Sequence, residues 1–428
     1  MERSEAEHLV RRTGFGLDWN LVDQLLPLSR TAAVNELLDF SKNPAASYPA
    51  DVMAEAGTHW AKVRDLTKWW LERMRTVPRP LQEHLVLFWH SHFATSADRV
   101  EYASQLADQQ QLFRTQGTGD FRTLVQQVSV GPAMLLYLDN YKNEVGIPNE
   151  NFARELLELH TLSPGHYTEN DIVEAARAWT GHGLTDGRRT YRFKASEHDT
   201  GMKTIFGVRR NFDGPDVVDE IVTGVRKMEC ARFIASKMWG YFAYPDPPSQ
   251  VIDDLVVPYV ASGLDLSVLL RAVLTHDAFY GSTARQGLVR APAHWAVACA
   301  AGARVEVDDV HPEQFLGEMG QQLFYPETPE GWGHNGQWIS AVAMWSRADY
   351  ARRVANRMNS SSYLKQVTSQ AVPTAVETMR QAMGLTALSG TSRRALEDYL
   401  YAERANSGKD EFRNLATLVM LSPEMQLA

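Results

Sequence analysis

The chain has 428 residues, 44% hydrophobic and 22% charged, which suits a large packed core and argues against disorder. Its formal net charge of −9, from 43 Lys+Arg against 52 Asp+Glu, disfavours the broad basic face that nonspecific nucleic-acid binding needs. No apolar window reaches the roughly 20 residues of a membrane span, and Met1-Glu2-Arg3-Ser4-Glu5 opens on charges, so the expectation is a soluble, cytoplasmic protein with no membrane partner.

Helical periodicity dominates and strand alternation is scarce. Residues 5–40 read as two short helices around Arg12-Thr13-Gly14-Phe15-Gly16. Residues 50–76 read as one amphipathic helix carrying Trp60, Leu66, Trp69, Trp70 and Met74. Pro78 and Pro80 interrupt it, and Pro80 fits the first turn of a helix over about 81–90. Further helices are expected at 98–115, 119–129, 131–141 and 150–161. Thr168-Glu169-Asn170-Asp171 fits a capping box that opens a helix ending near Gly181. Residues 186–215 carry Gly, Arg and aromatics with little periodicity and read as a loop insertion over a site. Within it, Tyr191-Arg192-Phe193 and Thr204-Ile205-Phe206 suggest a small hairpin. Helices resume at 216–243, 249–260, 265–277, 286–303 and 311–321. After an irregular stretch over 323–338 they continue at 339–357, 371–383, 391–405 and 409–421. The fold class is therefore mainly α: a large multi-helix body with long irregular loops and at most a small β-hairpin. Residues 1–355 read as the main helical domain and 356–428 as helices packing on the same body.

Two cysteines, Cys230 and Cys299, have no CxxC spacing and sit in alanine-rich surroundings. They read as small buried hydrophobes rather than as a disulfide or thiolate zinc site.

Chemistry-bearing residues concentrate between 83 and 199. Histidine and carboxylate are the usual ligands of borderline and hard divalent ions. Glu83 and His90 share a helix face, being seven residues apart. His90 and His92 diverge by about 200° on a continuous helix and converge only if the chain becomes extended there. In Asn149 to His160, Glu155 and Glu158 fall together, while Arg154 lies near Glu150 and Glu158 at pairing distance. Salt-bridged surface is the competing reading of that face, and His160 falls within its apolar arc. Glu174 is three residues from Arg177 and can pair with it. In His198-Asp199-Thr200-Gly201-Met202-Lys203-Thr204, the Lys-Thr pair lacks the preceding glycines of a phosphate loop. Lys203 is left as an anion contact, and His198 and Asp199 as ligands or acid–base groups on a loop. The aromatic segment Trp332 to Trp338 is a pocket wall or a connection pinned by its tryptophans. Gly-x-Ser-x-Gly, HExxH and GxGxxG signatures are all missing.

Several segments together resemble one family. They are Pro80-Leu81-Gln82-Glu83-His84 through Trp89-His90-Ser91-His92-Phe93, Pro148-Asn149-Glu150-Asn151-Phe152-Ala153-Arg154-Glu155-Leu156, Glu174-Ala175-Ala176-Arg177-Ala178-Trp179-Thr180-Gly181, the His198 segment, and Met319-Gly320-Gln321 through Gly331-Trp332. The pattern is similar to the bacterial domain-of-unknown-function 1800 family over roughly residues 5–355. The resemblance implies a predominantly helical fold and carries over no catalytic residues. Many relatives look exported, and Ser163-Pro164-Gly165 stands where a simpler Leu-Gly turn is common.

The expectation is a metal-dependent enzyme acting on a small molecule or peptide. His90, His92, Glu155, Glu158 and His198 are its expected ligands, and Glu174, Asp199 and Lys203 assist catalysis. Iron or manganese is favoured and zinc is possible; haem stays open as a variant, since one histidine can hold it. Oxidation is preferred over hydrolysis by analogy with helical carboxylate–histidine sites. A non-catalytic scaffold is the third reading.

Overall fold

The computed structural model describes residues 1–185, 187–358, 362–406 and 410–428. Asp186 of the expected insertion and the first residue of the expected 409–421 helix therefore lie outside the described residues. Among those described, helices make up nearly all regular structure, and the only sheets are two antiparallel pairs. No described helix is long and apolar enough to cross a membrane.

Local chemistry sets the helix starts. Thr58 caps His59–Thr76 by accepting from the Ala61 N–H at 3.3 Å. Thr168 and Asp171 form the expected reciprocal box at Glu169–Ala178, which satisfies donors that a helix end leaves unpaired. Other starts and stops depart from periodicity. Residues 5–40 form three helices, Arg3–Thr13, Trp19–Leu25 and Arg30–Leu37. The 50–76 stretch splits into Ala50–Met53 and His59–Thr76, because Glu55 and Gly57 take left-handed backbone at φ 53° and 85°. The 216–243 stretch divides into Gly214–Val222 and Lys227–Phe242. Residues 311–321 form no α-helix: His311 is left-handed at φ 48°, Pro312 follows, and only a 3-10 turn at Pro312–Gln314 results.

The insertion also differs from expectation. Tyr191–Phe193 (β2) pairs with His182–Leu184 (β1), and Lys203–Ile205 (β3) pairs with Val208–Arg210 (β4). The two segments expected to pair with each other thus each join a nearer neighbour. Three-residue strands carry no readable alternation, and short connections close at lower entropic cost.

The core runs through the whole body, with Trp70, Trp89, Trp179, Trp239 and Trp295 fully buried. Burying a side chain of this kind is worth about 1.5–3 kcal/mol, so these rings anchor the helices around them. The Leu81–His92 helix is nearly all buried and packs on the His59–Thr76 and Ala103–Gln116 helices. Cys230 and Cys299 are free and buried.

Candidate metal centre

The Leu81–His92 helix stays helical through His92 and reaches its C-cap at Phe93. His90 and His92 therefore point to different sides instead of converging. The His90 Nε2 accepts the Phe324 N–H at 3.3 Å, with its ring against Trp70, Phe324 and Trp332. The His92 Nε2 donates to the His160 carbonyl at 3.0 Å. Each keeps a buried Nδ1 without a hydrogen-bond partner. Burial pushes His90 down to about 3 and His92 well below its ordinary value, so both rings are neutral at pH 7.

Glu83, on the His90 face, is fully buried and held by three neighbours. Trp70 Nε1 donates to it at 2.9 Å, Arg73 Nε at 2.6 Å and Arg114 Nη2 at 2.7 Å. Burial alone would raise this carboxyl, but Arg114 and Arg73 hold it below its ordinary value. It is a charge-compensated core group.

The Asn151–Glu155 helix widens into a π-helical turn at Leu156–Thr161. Glu155 and Glu158 are half-buried on it; burial and the charge of Glu158 raise Glu155. Glu158 accepts from the Tyr167 hydroxyl at 3.1 Å. His160 is buried, and its carbonyl serves His92. On the Glu169–Ala178 helix, Arg177 binds both acids assigned assisting roles: Nη1 reaches Glu174 at 2.9 Å and Nε reaches Asp199 of the insertion at 2.8 Å. Glu174 also accepts the Thr204 N–H at 3.0 Å. Lys203 is buried and donates to the Asp199 carbonyl, to the Gly201 carbonyl at 3.1 Å and to Asn211 Oδ1 at 3.2 Å. Glu174 and Asp199 thus tie the insertion to the Glu169–Ala178 helix, and Lys203 crosslinks the insertion internally.

Of the expected ligands, His198 alone joins a cluster. Among the described residues, the one group of three or more His, Cys, Asp and Glu side chains whose ligand atoms all lie within 4.8 Å of one another is His182, His198 and Asp213. Local structure builds it. Gly181 follows the Glu169–Ala178 helix with φ 79°, and a Cβ there would sit 2.8 Å from the Lys194 carbonyl and 3.1 Å from His198 Cβ. Only glycine allows His198 this close to the start of β1. His182 opens β1, its ring edge to face with Trp179 at a centroid distance of 4.9 Å. Asp213 is the N-cap of Gly214–Val222. A Cβ at Gly214 would meet the Trp179 ring at 2.5 Å, so glycine lets the helix start lie against the indole and brings Asp213 to His182.

The His182 Nε2 lies 2.6 Å from Asp213 Oδ1, and its Nδ1 lies 3.0 Å from the Tyr191 hydroxyl. The His198 Nδ1 donates to the Thr180 carbonyl at 2.8 Å, which fixes the tautomer and leaves Nε2 with its lone pair free. Burial pushes the Asp213 carboxyl up, but its interactions with His182, the Gly214 N–H and His198 together hold it below its ordinary value. Asp213 is 48% exposed at its side chain while His182 is 3% exposed, so the cluster sits at the mouth of the insertion. Sequence reasoning named His198 but passed over His182 and Asp213. The available signals were the Gly181-His182 step beside a quoted motif and the Asp213-Gly214-Pro215-Asp216 capping box.

The chain belongs to the family described as "Protein of unknown function (DUF1800)", which matches residues 8–427. Neither the curated proteins nor the solved structures give a match.

Proposed function

We propose that the chain is a metal-dependent enzyme whose ion is held by His182, His198 and Asp213. The observation that carries this reading is the convergence of their three ligand atoms within 4.8 Å, with His198 already oriented through Nδ1. Bonds of about 2.0–2.2 Å keep two donors on one ion at most about 4.4 Å apart, so small side-chain rotations would close the set. Two imidazoles and one carboxylate leave coordination positions for substrate and suit non-haem iron or manganese. Oxidation of a small molecule or peptide is the preferred reaction class. The supporting shell is that of working metal sites: the Thr180 carbonyl behind His198 and the Tyr191 hydroxyl beside His182 orient the rings.

A second reading has its own support. The half-exposed Asp213 side chain gives water access to the site, which favours a zinc hydrolase in which the ion activates water. Metal analysis of the purified full chain tests both. Near-stoichiometric iron or manganese is expected in the wild type. His182→Ala and His198→Ala should each lose it, and the His90→Ala/His92→Ala pair should retain it. Zinc would move the reading to hydrolysis. Unchanged metal content in His182→Ala and His198→Ala would end it.

A further inference from the structure

A separate cavity of about 620 Å³ lies between the Leu81–His92 helix, the Lys227–Phe242 helix and the 330–338 segment, within the size range of small-molecule sites. Its broad wall is aromatic and aliphatic, including Phe88, Phe233, Tyr241, Ile252, Trp332 and Trp338. At one side the lining changes to Arg12, Arg290, His84 and His294, all at least nine-tenths buried.

Both arginines and His294 are short of acceptors, whereas His84 already donates its Nε2–H to the Gly14 carbonyl at 3.1 Å. Arg12 uses Nη2 on two carbonyls, Ala243 at 2.9 Å and Ala284. Arg290 has one side-chain bond, from Nη1 to the Met425 sulfur at 3.4 Å. Among the described residues, neither arginine has an ion pair within 4.0 Å, and the Nε of each is buried without a partner. The imidazoles of His84 and His294 meet edge to face at 4.9 Å, and His294 Nε2 has no partner either. Behind them Arg11 and Arg347 also reach only uncharged acceptors: Thr386, the Leu427 carbonyl, Gln426 and the Arg290 carbonyl. Guanidinium stays charged in proteins, so positive charge accumulates with no carboxylate in direct ion-pair contact among the described residues; Glu7 reaches Arg11 only at longer range. Burial, reinforced by Arg11, Arg12 and Arg347, pushes Arg290 down to about 9, an electrostatic cost that a bound anion would relieve. Asp246 and Glu330 line the same cavity, but neither pairs with these arginines; the charge of Glu330 acts instead on Lys237, opposing the burial that lowers it.

We infer that this cavity binds a small organic oxyanion, a carboxylate or phosphate monoester with an apolar body. The oxyanion sits on Arg12, Arg290 and His294, and the body lies along Phe233, Trp332 and Trp338. The donor set selects the ligand's chemistry: free N–H groups require acceptors, a planar fork matches an oxyanion, and the aromatic wall excludes a fully hydrated ion. The site stands apart from the proposed metal triad and holds whether or not that triad binds an ion.

The test uses the full chain with 3-phenylpropanoate, its neutral amide and inorganic phosphate as probes, followed by titration calorimetry and thermal melting. The carboxylate should bind at least about tenfold more tightly than either of the others, a gap of about 1.4 kcal/mol, and should raise the melting temperature. Arg290→Met should abolish the response and raise the melting temperature of the ligand-free chain, because it removes a buried, unpaired charge. Should that variant misfold, the comparison of acid with amide on the wild type still decides. An amide that binds as well as the acid overturns the inference, as does a chain that binds neither the acid nor phosphate. Phosphate binding as tightly as the acid would assign a free oxyanion and overturn the apolar-body half. Arg290→Met that keeps full binding would overturn the role of the arginine.

Discussion

Two histidine regions lie on either side of the Glu169–Ala178 helix in sequence, and they behave differently. On the Leu81–His92 helix, His90 and His92 are sealed among aromatic rings, and each uses one ring nitrogen on the main chain of a distant segment. Around the insertion, His182 at the start of β1 and His198 on a loop face one carboxylate and keep a route to solvent through Asp213. A continuous helix separates side chains two apart by about 200°, whatever their chemistry. Loops pinned by Gly181 and Gly214 bring residues 31 apart in sequence into hydrogen-bond contact. The histidine-rich motif most visible in the sequence is thus tied up in packing, and the close grouping of His182, His198 and Asp213 belongs to the less periodic segment.

The largest effect that would sharpen this contrast is at Glu83. Glu83→Gln leaves Arg73 and Arg114 without their counter-charge inside the helical region. Breaking a buried pair in this way costs about 3–5 kcal/mol, so urea unfolding should show a severe loss of stability. A loss under about 1 kcal/mol would mean that the region is not charge-locked.

Acid should act next, and on the helical region first. Burial pushes His84 down to about 4 and His160 to about 3, against about 6.5 in an unfolded chain. Above pH 6.5 neither state is protonated and stability is complete. Below it the unfolded chain takes up protons that the folded chain refuses, so stability falls as pH drops toward 4. Each group contributes a slope of up to about 1.4 kcal/mol per pH unit. Glu83, held low by its arginines, adds a loss of the same sign further down. Chemical denaturation at pH 7.5, 6 and 5 would measure the slope, and a flat profile would contradict it.

A smaller change is expected in the insertion. His182→Ala removes the bond tying β1 to the cap of the Gly214–Val222 helix, worth about 1 kcal/mol. Manganese at a hundredfold excess over its Kd should stabilise the wild type by about 2.7 kcal/mol and leave this variant unaffected. Equal stabilisation of both would merge the two regions again. The smallest effect is at Arg154, whose partners Glu150 and Glu169 lie at the surface. Arg154→Ala should leave both the unfolding midpoint and the metal response nearly unchanged.

Much of the helical frame was legible because period and caps are local signals. The Thr168–Asp171 box, the Glu174–Arg177 pair and the buried cysteines followed from residues within four positions or from composition. Helix ends at Glu55–Gly57 and His311–Pro312 were not, since left-handed backbone at non-glycine residues has no periodic signature. The pairing of Glu83 with Arg73 and Arg114 depends on three helices meeting. The triad depends on a further step, two short sheets and two glycine contacts that bring three segments together. Spacing along the chain carries no trace of that convergence.

The most direct test is a crystal of the purified chain soaked in manganese and measured for anomalous scattering. The account predicts one strong peak bounded by His182, His198 and Asp213. A peak beside His90 or His92, or none at the triad, would contradict it.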